Sequence, residues 1–242
     1  MRISFEQYKN IVILTGAGVS VASGLRPYRG PDGVWEEHQV EEYGHAECVK
    51  RAPEKTWMLF GGMRGPVLHA KPNPAHFALA QLQASLRPDQ RFLLVTQNVD
   101  GLHQRAGSQD VAEIHGNLLF TRCSNDTCDF TPHRDEAAHT IKVPTCPKCG
   151  SPLRPDVVLF GELPKLDATW SVKRALRECD LFMSIGTSGL VTPAADYVRS
   201  AHYAGARTIF INLEPLSRPN PAFSEQILGR AEEVLPELIG LT

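Results

Sequence analysis

Four short apolar runs in this chain each stop at a cluster of small or polar residues. Ile11-Val12-Ile13-Leu14 runs into Thr15-Gly16-Ala17-Gly18, and Phe92-Leu93-Leu94-Val95 into Thr96-Gln97-Asn98. Leu181-Phe182-Met183-Ser184-Ile185 ends at Gly186-Thr187-Ser188, and Thr208-Ile209-Phe210-Ile211 at Asn212-Leu213-Glu214. Such runs read as strands buried on both faces, and the helical patterns between them make a parallel sheet. The expected fold is α/β: a Rossmann-like parallel sheet with helices on both faces. Polar residues at strand carboxyl ends lie where open parallel sheets bind ligands. One such cluster is an ordinary turn; four together point to a site. Residues 73–86 read as a helix with Pro74 in its first turn and Phe77, Leu79, Leu82 and Leu86 as its apolar face. Residues 222–229 and 232–239 read as closing helices.

Residues 117–155 break this rhythm with four cysteines, several prolines and no periodic segment. They read as a small module inserted between residues 1–116 and 156–242 of the main domain. Cys123-x4-Cys128 and Cys146-x2-Cys149 have the spacing that places four sulfurs around a tetrahedral zinc ion. The alternative is two disulfides or unpaired thiols. A closed four-thiolate site leaves no place for water, so the expected Zn²⁺ is structural. Gly150 suits a tight knuckle, and Arg122, Lys148 and Arg154 would offset the thiolate charge. Cys48 and Cys179 lie outside the pattern and read as inert core thiols. Residues 26–72, rich in Gly, Pro and charge, read as a mobile loop with short helices.

A chain of 242 residues buries about 70–75 % of its extended surface, so its main core needs neither disulfides nor metal. With 25 basic against 27 acidic side chains, it has no global attraction to nucleic acid or an anionic membrane. The N-terminal MRISFEQYKN lacks the apolar core of a signal peptide. No stretch approaches the roughly 20 apolar residues of a membrane span. These features predict a cytoplasmic protein.

Gly16-Ala17-Gly18 lets the backbone approach a pyrophosphate at the start of the helical stretch that follows. The third glycine of the full dinucleotide fingerprint is missing, Val21 standing in its place, so a tight strand–helix turn is the plain alternative. Nor does a second strand end in the acid that an ordinary dehydrogenase needs. Gln97, Asn98 and Asp100 could bind ribose hydroxyls or a carboxamide; their bland reading is a turn capping the next helix. Of nine histidines, His115 stands out by its place between a β-prone stretch and Gly116.

Together these residues resemble the sirtuins, the family of NAD⁺-dependent protein lysine deacylases. The likeness runs from the glycine turn through Arg29-Gly30 and Gly33-x-Trp35 to Thr96-Gln97-Asn98-Val99-Asp100 and His115-Gly116. It continues through the four cysteines, Phe160-Gly161-Glu162, Gly186-Thr187-Ser188 and Asn212-Leu213-Glu214, covering nearly the whole chain. The resemblance implies NAD⁺ across the strand ends, its pyrophosphate over Gly16-Ala17-Gly18. Ser188 and Asn212 would hold the adenosine side, beside Gly186, Thr187 and Glu214, and Gln97 the nicotinamide ribose. Asn98 and Asp100 would face the carboxamide, Arg29 steady the loop and phosphates, and Tyr28 shield the reacting ribose carbon. The implied catalytic residues are His115, as general base for the ribose hydroxyls, and Asn98. The implied products are nicotinamide, free lysine and 2′-O-acyl-ADP-ribose.

The same resemblance implies a substrate peptide added as a strand between residues 158–162 and 189–191, touching Val158, Phe160, Gly161, Glu162 and Val191. Members that remove succinyl or malonyl groups carry a tyrosine and an arginine three apart on the helix lining the acyl pocket. Here Phe60 and Met63 hold that spacing, which predicts neutral acyl groups, acetyl first, with Arg64 able to alter this if it turns inward. The chain departs from the family pattern at Tyr28, usually phenylalanine, and Arg26, usually proline. The implied partners are acyl-lysine proteins or peptides, with no specific nucleic acid, no membrane and a monomeric enzyme. Two other readings remain: NAD⁺ glycohydrolysis or ADP-ribosyl transfer in the same pocket, and a non-enzymatic binding ribbon made by the cysteine module. The module's mixed charge, with Arg134 and Lys142 beside Asp126, Asp129, Asp135 and Glu136, disfavours the ribbon.

Overall fold

A computed structural model describes residues 2–27 and 39–240. The first apolar run forms β1 (Asn10–Thr15), which is buried along all but its first residue. Alternate side chains leave opposite faces of a strand. Ile11 and Ile13 join one core, with Leu79 and Leu82 of α4 (Pro74–Ser85) and Leu235 and Leu238 of α8 (Ala231–Ile239). Val12 and Leu14 join the other, with Val172 and Leu176 of α6 (Leu166–Arg177) and Val198 and Ala201 of α7 (Tyr197–Tyr203). Helices thus cover both faces. β2 (Arg91–Thr96) and β7 (Leu181–Ile185) flank β1 in parallel, Ile13 lying opposite Leu94 and Met183. β3 (Ala112–Glu113) extends one side; β8 (Arg207–Asn212) and β9 (Glu225–Leu228) extend the other. The order β3-β2-β1-β7-β8-β9 reverses direction between β1 and β7. A crevice opens there, outside the carboxyl ends of the strands.

Two expectations fail in instructive ways. Residues 222–229 are not a helix: Glu225–Leu228 pairs in parallel with β8 as the sheet's edge, Ile227 against Ile211. Glu225 and Ile227 are half-buried and Gln226 and Leu228 exposed, a two-residue alternation too short to separate from a helical pattern in the sequence. In α4, Phe77 is 50 % exposed, because the inward face carries Ala75, Ala78, Leu79 and Leu82. Asn73 caps this helix and His76 returns the bond in a capping box, with Pro74 in the first turn as expected.

The expected loop of short helices holds α1 (Gln39–Tyr43), α2 (Ala46–Arg51) and α3 (Pro53–His69), the last 17 residues long. Gly61, Gly62, Gly65 and Pro66 weaken α3 intrinsically, so its persistence rests on tertiary packing. Tyr28, Arg29, Gly30, Gly33 and Trp35 lie outside the described residues. After α5 (Leu102–Arg105), a second sheet rises from the first beyond His115. It is antiparallel, order β5-β4-β6, from β4 (Gly116–Cys123), β5 (His133–Arg134) and β6 (Leu153–Val157). Gly116 has φ +82°, and a Cβ there would fall 2.1 Å from the Asp156 carbonyl oxygen, so only glycine fits this exit.

Candidate active site

The floor of the crevice is backbone against backbone. Gly16 N–H donates to Ile185 O (2.9 Å) and Gly18 N–H to Gly186 O (2.8 Å). A Cβ on Gly16 would meet Gly186 O at 2.7 Å, and one on Gly18 would meet Gly186 Cα at 2.8 Å. These glycines are required by close approach to the end of β7, and Gly186 itself has φ +61°. The following 3-10 helix, Ala17–Ser23, places Ser20 beneath the floor.

Thr96 ends β2 and accepts a hydrogen bond from Asn98 N–H (3.1 Å). Asn98 donates through Nδ2 to Gly16 O (3.0 Å) and Ser20 Oγ (3.2 Å), while its buried Oδ1 meets no donor among the described residues. Asp100 accepts from Ser20 Oγ (2.7 Å) and from Leu102 N–H (2.9 Å). Its carboxylate therefore caps α5, the bland reading, and also lines a cavity, and burial pushes its pKa up. Below lie two buried histidine rings 4.8 Å apart, His76 near Ser20 and His103 bonded to Thr15 Oγ1 (2.9 Å). Burial drives His76 down to about 4 and His103 well below the ordinary range, so both are neutral at pH 7.

Gln97 donates through Nε2 to Thr187 Oγ1 (2.9 Å) and offers its carbonyl to His115 Nδ1 (3.0 Å). A carbonyl only accepts, so His115 carries its proton on Nδ1 and leaves the Nε2 lone pair open. Burial lowers the pKa of His115, which keeps the ring unprotonated near neutrality. The tautomer and the charge state both suit a general base.

Two adjoining cavities meet at Ala17, Asn98 and Met63. One, of about 470 Å³, gathers Gly16, Gln97, His115, Phe60, Val158, Phe160, Gly161, Glu162, Gly186, Thr187, Ser188 and Val191. The other, of about 480 Å³, is walled by Arg26, Met58, Leu59, Gly62, Pro66 and Val67 and reaches Ser20 and Asp100. Residues of the glycine turn, the strand ends, the peptide segment and α3 are thus brought to one place. Asn212 and Glu214 are not: Asn212 closes β8 through its carbonyl to Gly229 N–H, Glu214 is exposed, and neither lines these cavities. Phe160 spends its backbone N–H on Gly44 O (2.9 Å) and its carbonyl on Ala46 N–H (3.0 Å). The carboxylate of Glu162 pairs with Arg154 and accepts from Leu159 N–H. Arg64 does not turn toward the acyl pocket; fully buried, it points into the second sheet.

The cysteine sulfurs lie within 4.8 Å of one another, Cys123 to Cys149 at 3.5 Å and Cys128 to Cys146 at 3.8 Å. Tetrahedral zinc with bonds of 2.3 Å separates its sulfurs by about 3.8 Å, and a disulfide by about 2.05 Å, so the group fits a metal ion and contains no disulfide. Gly150, at φ +76°, returns its N–H to Cys146 O (2.9 Å) as the expected knuckle. Of the three basic side chains expected to offset the thiolates, Arg122 pairs with Asp126 and Arg154 with Glu162, while Lys148 pairs with Asp129 and also feels the charge of Cys128 and Cys146. Cys48 and Cys179 are buried apart from the cluster.

Comparison with known proteins decides the family. Residues 16–193 match the Sir2 family. An "NAD-dependent protein deacylase" of Yersinia pestis is 43 % identical over 236 residues, covering 95 % of this chain and 81 % of that protein. A Sir2 homolog solved as an NAD complex superposes with a TM-score of 0.87 at 37 % identity, covering 98 % of this chain and 90 % of that one. A Sir2 protein with a deacetylated p53 peptide and an acetyl ADP-ribose gives 0.85 at 28 % identity, covering 97 % and 94 %. The chain belongs to the Sir2 family.

Sequence reasoning missed three polar residues of this Sir2 site. Ser20 joins Asn98 to Asp100, and His76 and His103 sit beneath it. The signal for Ser20 was its place one turn beyond the glycines, and for His76 the capping box. Nothing local marks His103, whose bond to Thr15 spans 88 residues.

Proposed function

We propose that this Sir2 chain is an NAD⁺-dependent protein lysine deacylase acting on neutral acyl groups. The observation that carries the reading is one cavity holding an open His115 Nε2, an unmatched Asn98 Oδ1 and the glycine floor together. NAD⁺ supplies an activated ribose carbon and nicotinamide as leaving group. Asn98 Oδ1, an acceptor with no donor of its own, suits a carboxamide N–H. Gly16 and Gly18 let the main chain come close to a pyrophosphate, although the Gly18 N–H is held by Gly186 O and the Val19 N–H by Gly16 O. His115 Nε2 takes a proton from a ribose hydroxyl, while Nδ1–H stays on Gln97 O and fixes the ring. Gln97 is steadied for the nicotinamide ribose by Thr187, and Ser188 rims the adenosine side. Tyr28 and Arg29 keep the roles the resemblance implies.

The acyl pocket is lined by Phe60, Met63 and the apolar wall of α3, and among the described residues Arg26 is the cationic side chain that lines it. That supports acetyl first and admits longer apolar chains. Residues 117–155 act as a structural module whose four thiolates hold Zn²⁺ apart from the chemistry. We further propose acyl-lysine proteins as partners, a monomeric enzyme, and a cytoplasmic location with neither nucleic acid nor membrane as partner. No described helix is long and apolar enough to cross a membrane.

The test is incubation with NAD⁺ and acetyl-, succinyl- and fatty-acyl-lysine on one peptide, identifying both products by mass. Acyl-ADP-ribose from the neutral substrates is the expected product. Free ADP-ribose or ADP-ribosylated protein instead would favour glycohydrolysis or transfer, and faster desuccinylation would overturn the neutral pocket.

A further inference from the structure

Helix α3 has a second face, turned away from the cavities. Trp57, Gly61 and Arg64 follow one another at helical spacing, all three buried. Trp57 Nε1–H donates to Leu153 O of β6 (2.8 Å). Arg64 spreads its fork over β4: Nε to Leu118 O (2.9 Å), Nη2 to Phe120 O (3.2 Å) and to Thr121 Oγ1 (2.8 Å). Its Nη1 reaches Ala137 O (2.5 Å) and pairs with Asp135 (3.3 Å), and the guanidinium stacks 4.8 Å over the Trp57 ring. The partners on residues 135–139 form a strap running past β5. The strap closes over the helix at Gly61, where a Cβ would lie 1.8 Å from Ala138 O. His139, held at φ 52°, bonds Asp135 (2.8 Å) and meets the Trp57 ring edge-on.

The opposite side of the same helix carries Met58, Leu59, Gly62, Met63 and Pro66, which wall the cavity assigned to the acyl chain. Arg64 and Met63 are neighbours in sequence and face different compartments. We propose that Arg64 is a positioning and specificity-determining residue: by clamping α3 to the strap of the cysteine module, it sets the width of the acyl tunnel and so the acyl-length preference. The inference rests on the deacylase reading above. A guanidinium is required because five N–H donors in a fixed plane serve three oxygens of β4, one carbonyl of the strap and a carboxylate at once, which an ammonium cannot do. A helix with three glycines and a proline has little stiffness of its own, so its tunnel face follows the clamp.

Two variants loosen the clamp by unrelated means. Arg64→Gln removes the fork; Gly61→Ala leaves every charge in place and pushes the Ala138 carbonyl off the helix. Arg64→Lys restores the charge without the fork. Each is assayed for kcat and KM on acetyl-lysine and long-chain acyl-lysine in one peptide, for KM of NAD⁺, for bound zinc, and for amide hydrogen exchange in the strap.

Both loosening variants should exchange faster over residues 135–139 and shift the long-chain to acetyl ratio of kcat/KM by about 3- to 10-fold in the same direction. The shift should lie mainly in peptide KM, with zinc content and KM for NAD⁺ unchanged. Arg64→Lys should behave as Arg64→Gln. If Arg64→Gln fails to fold, Gly61→Ala alone decides. Faster strap exchange with an unchanged acyl ratio would leave Arg64 a merely structural residue and overturn the proposal while the deacylase reading stands. A wild-type chain inactive on every acyl peptide would overturn both.

Discussion

Two polar buried regions of this chain are built on opposite terms. Beneath the crevice, Thr15, Ser20, His76, Asn98, Asp100 and His103 form a network that leaves polar atoms unmatched, Asn98 Oδ1 and His103 Nδ1 among them. Across α3, Arg64 carries a full charge with every nitrogen engaged. A buried group without a partner costs about 1–3 kcal/mol, and one that lines a cavity, as Asn98 Oδ1 does, is placed to be completed by a ligand. A buried cation with complete partners is instead a fastener. The unmatched region marks the place for a ligand, and the matched one holds the wall beside it.

The largest effect should come from the open side. His115→Ala should lower deacylation by roughly 10²- to 10⁴-fold with zinc content and circular dichroism unchanged. Steady-state kinetics on an acetyl peptide check this; intact turnover would remove His115 from the mechanism. Breaking the closed side should show in stability. Arg64→Ala abandons Asp135 and three carbonyls and should cost about 3–5 kcal/mol by urea unfolding.

Acid should separate the two regions. His76 titrates near 4 in the folded chain against 6.5 when free, so stability falls as pH drops from 6.5 toward 4, by about 3 kcal/mol in all. Asp135 is held down to about 2: burial works to raise it, but Thr121, His139, the Ala137 N–H and Arg64 outweigh that. Its contribution is complete above 3.8 and is lost only as pH falls toward 2. Hydrogen exchange against pH should therefore show the crevice loosening before the strap; the reverse order would contradict this reading. Activity should also decline on the acid side, as His115 Nε2 protonates below its already lowered pKa. The smallest change is Ser20→Ala, which strips one donor from Asp100 and one acceptor from Asn98. It should cost roughly 1–3 kcal/mol, read from the urea midpoint.

Much of this was legible in the sequence, for a physical reason. Strands buried on both faces must be continuously apolar, so β1, β2, β7 and β8 announce themselves, and their polar ends follow. The cysteine spacing is equally explicit, since a metal fixes the positions of its ligands. What escaped was set by distant contacts. β9 is too short and too exposed to declare a period, and it becomes a strand because β8 offers a free edge. Arg64 shows only as an arginine in a glycine-rich stretch, and its partners arrive from 54 to 73 residues away. Arg122 and Arg154, near the cysteines, went to carboxylates because Asp126 and Glu162 are placed to receive them. Asn212 and Glu214 stand at the carboxyl end of β8, one strand beyond β7, and line neither cavity.

The contact of Gly16 and Gly18 with Gly186 has a further consequence. Where main chain from two strand ends touches at Gly16, Gly18 and Gly186, any added side chain would collide, so selection has little there to vary. On the proposed reading, drift in what this enzyme accepts would be written in α3 and in residues 158–162, while these glycine contacts stay fixed by sterics.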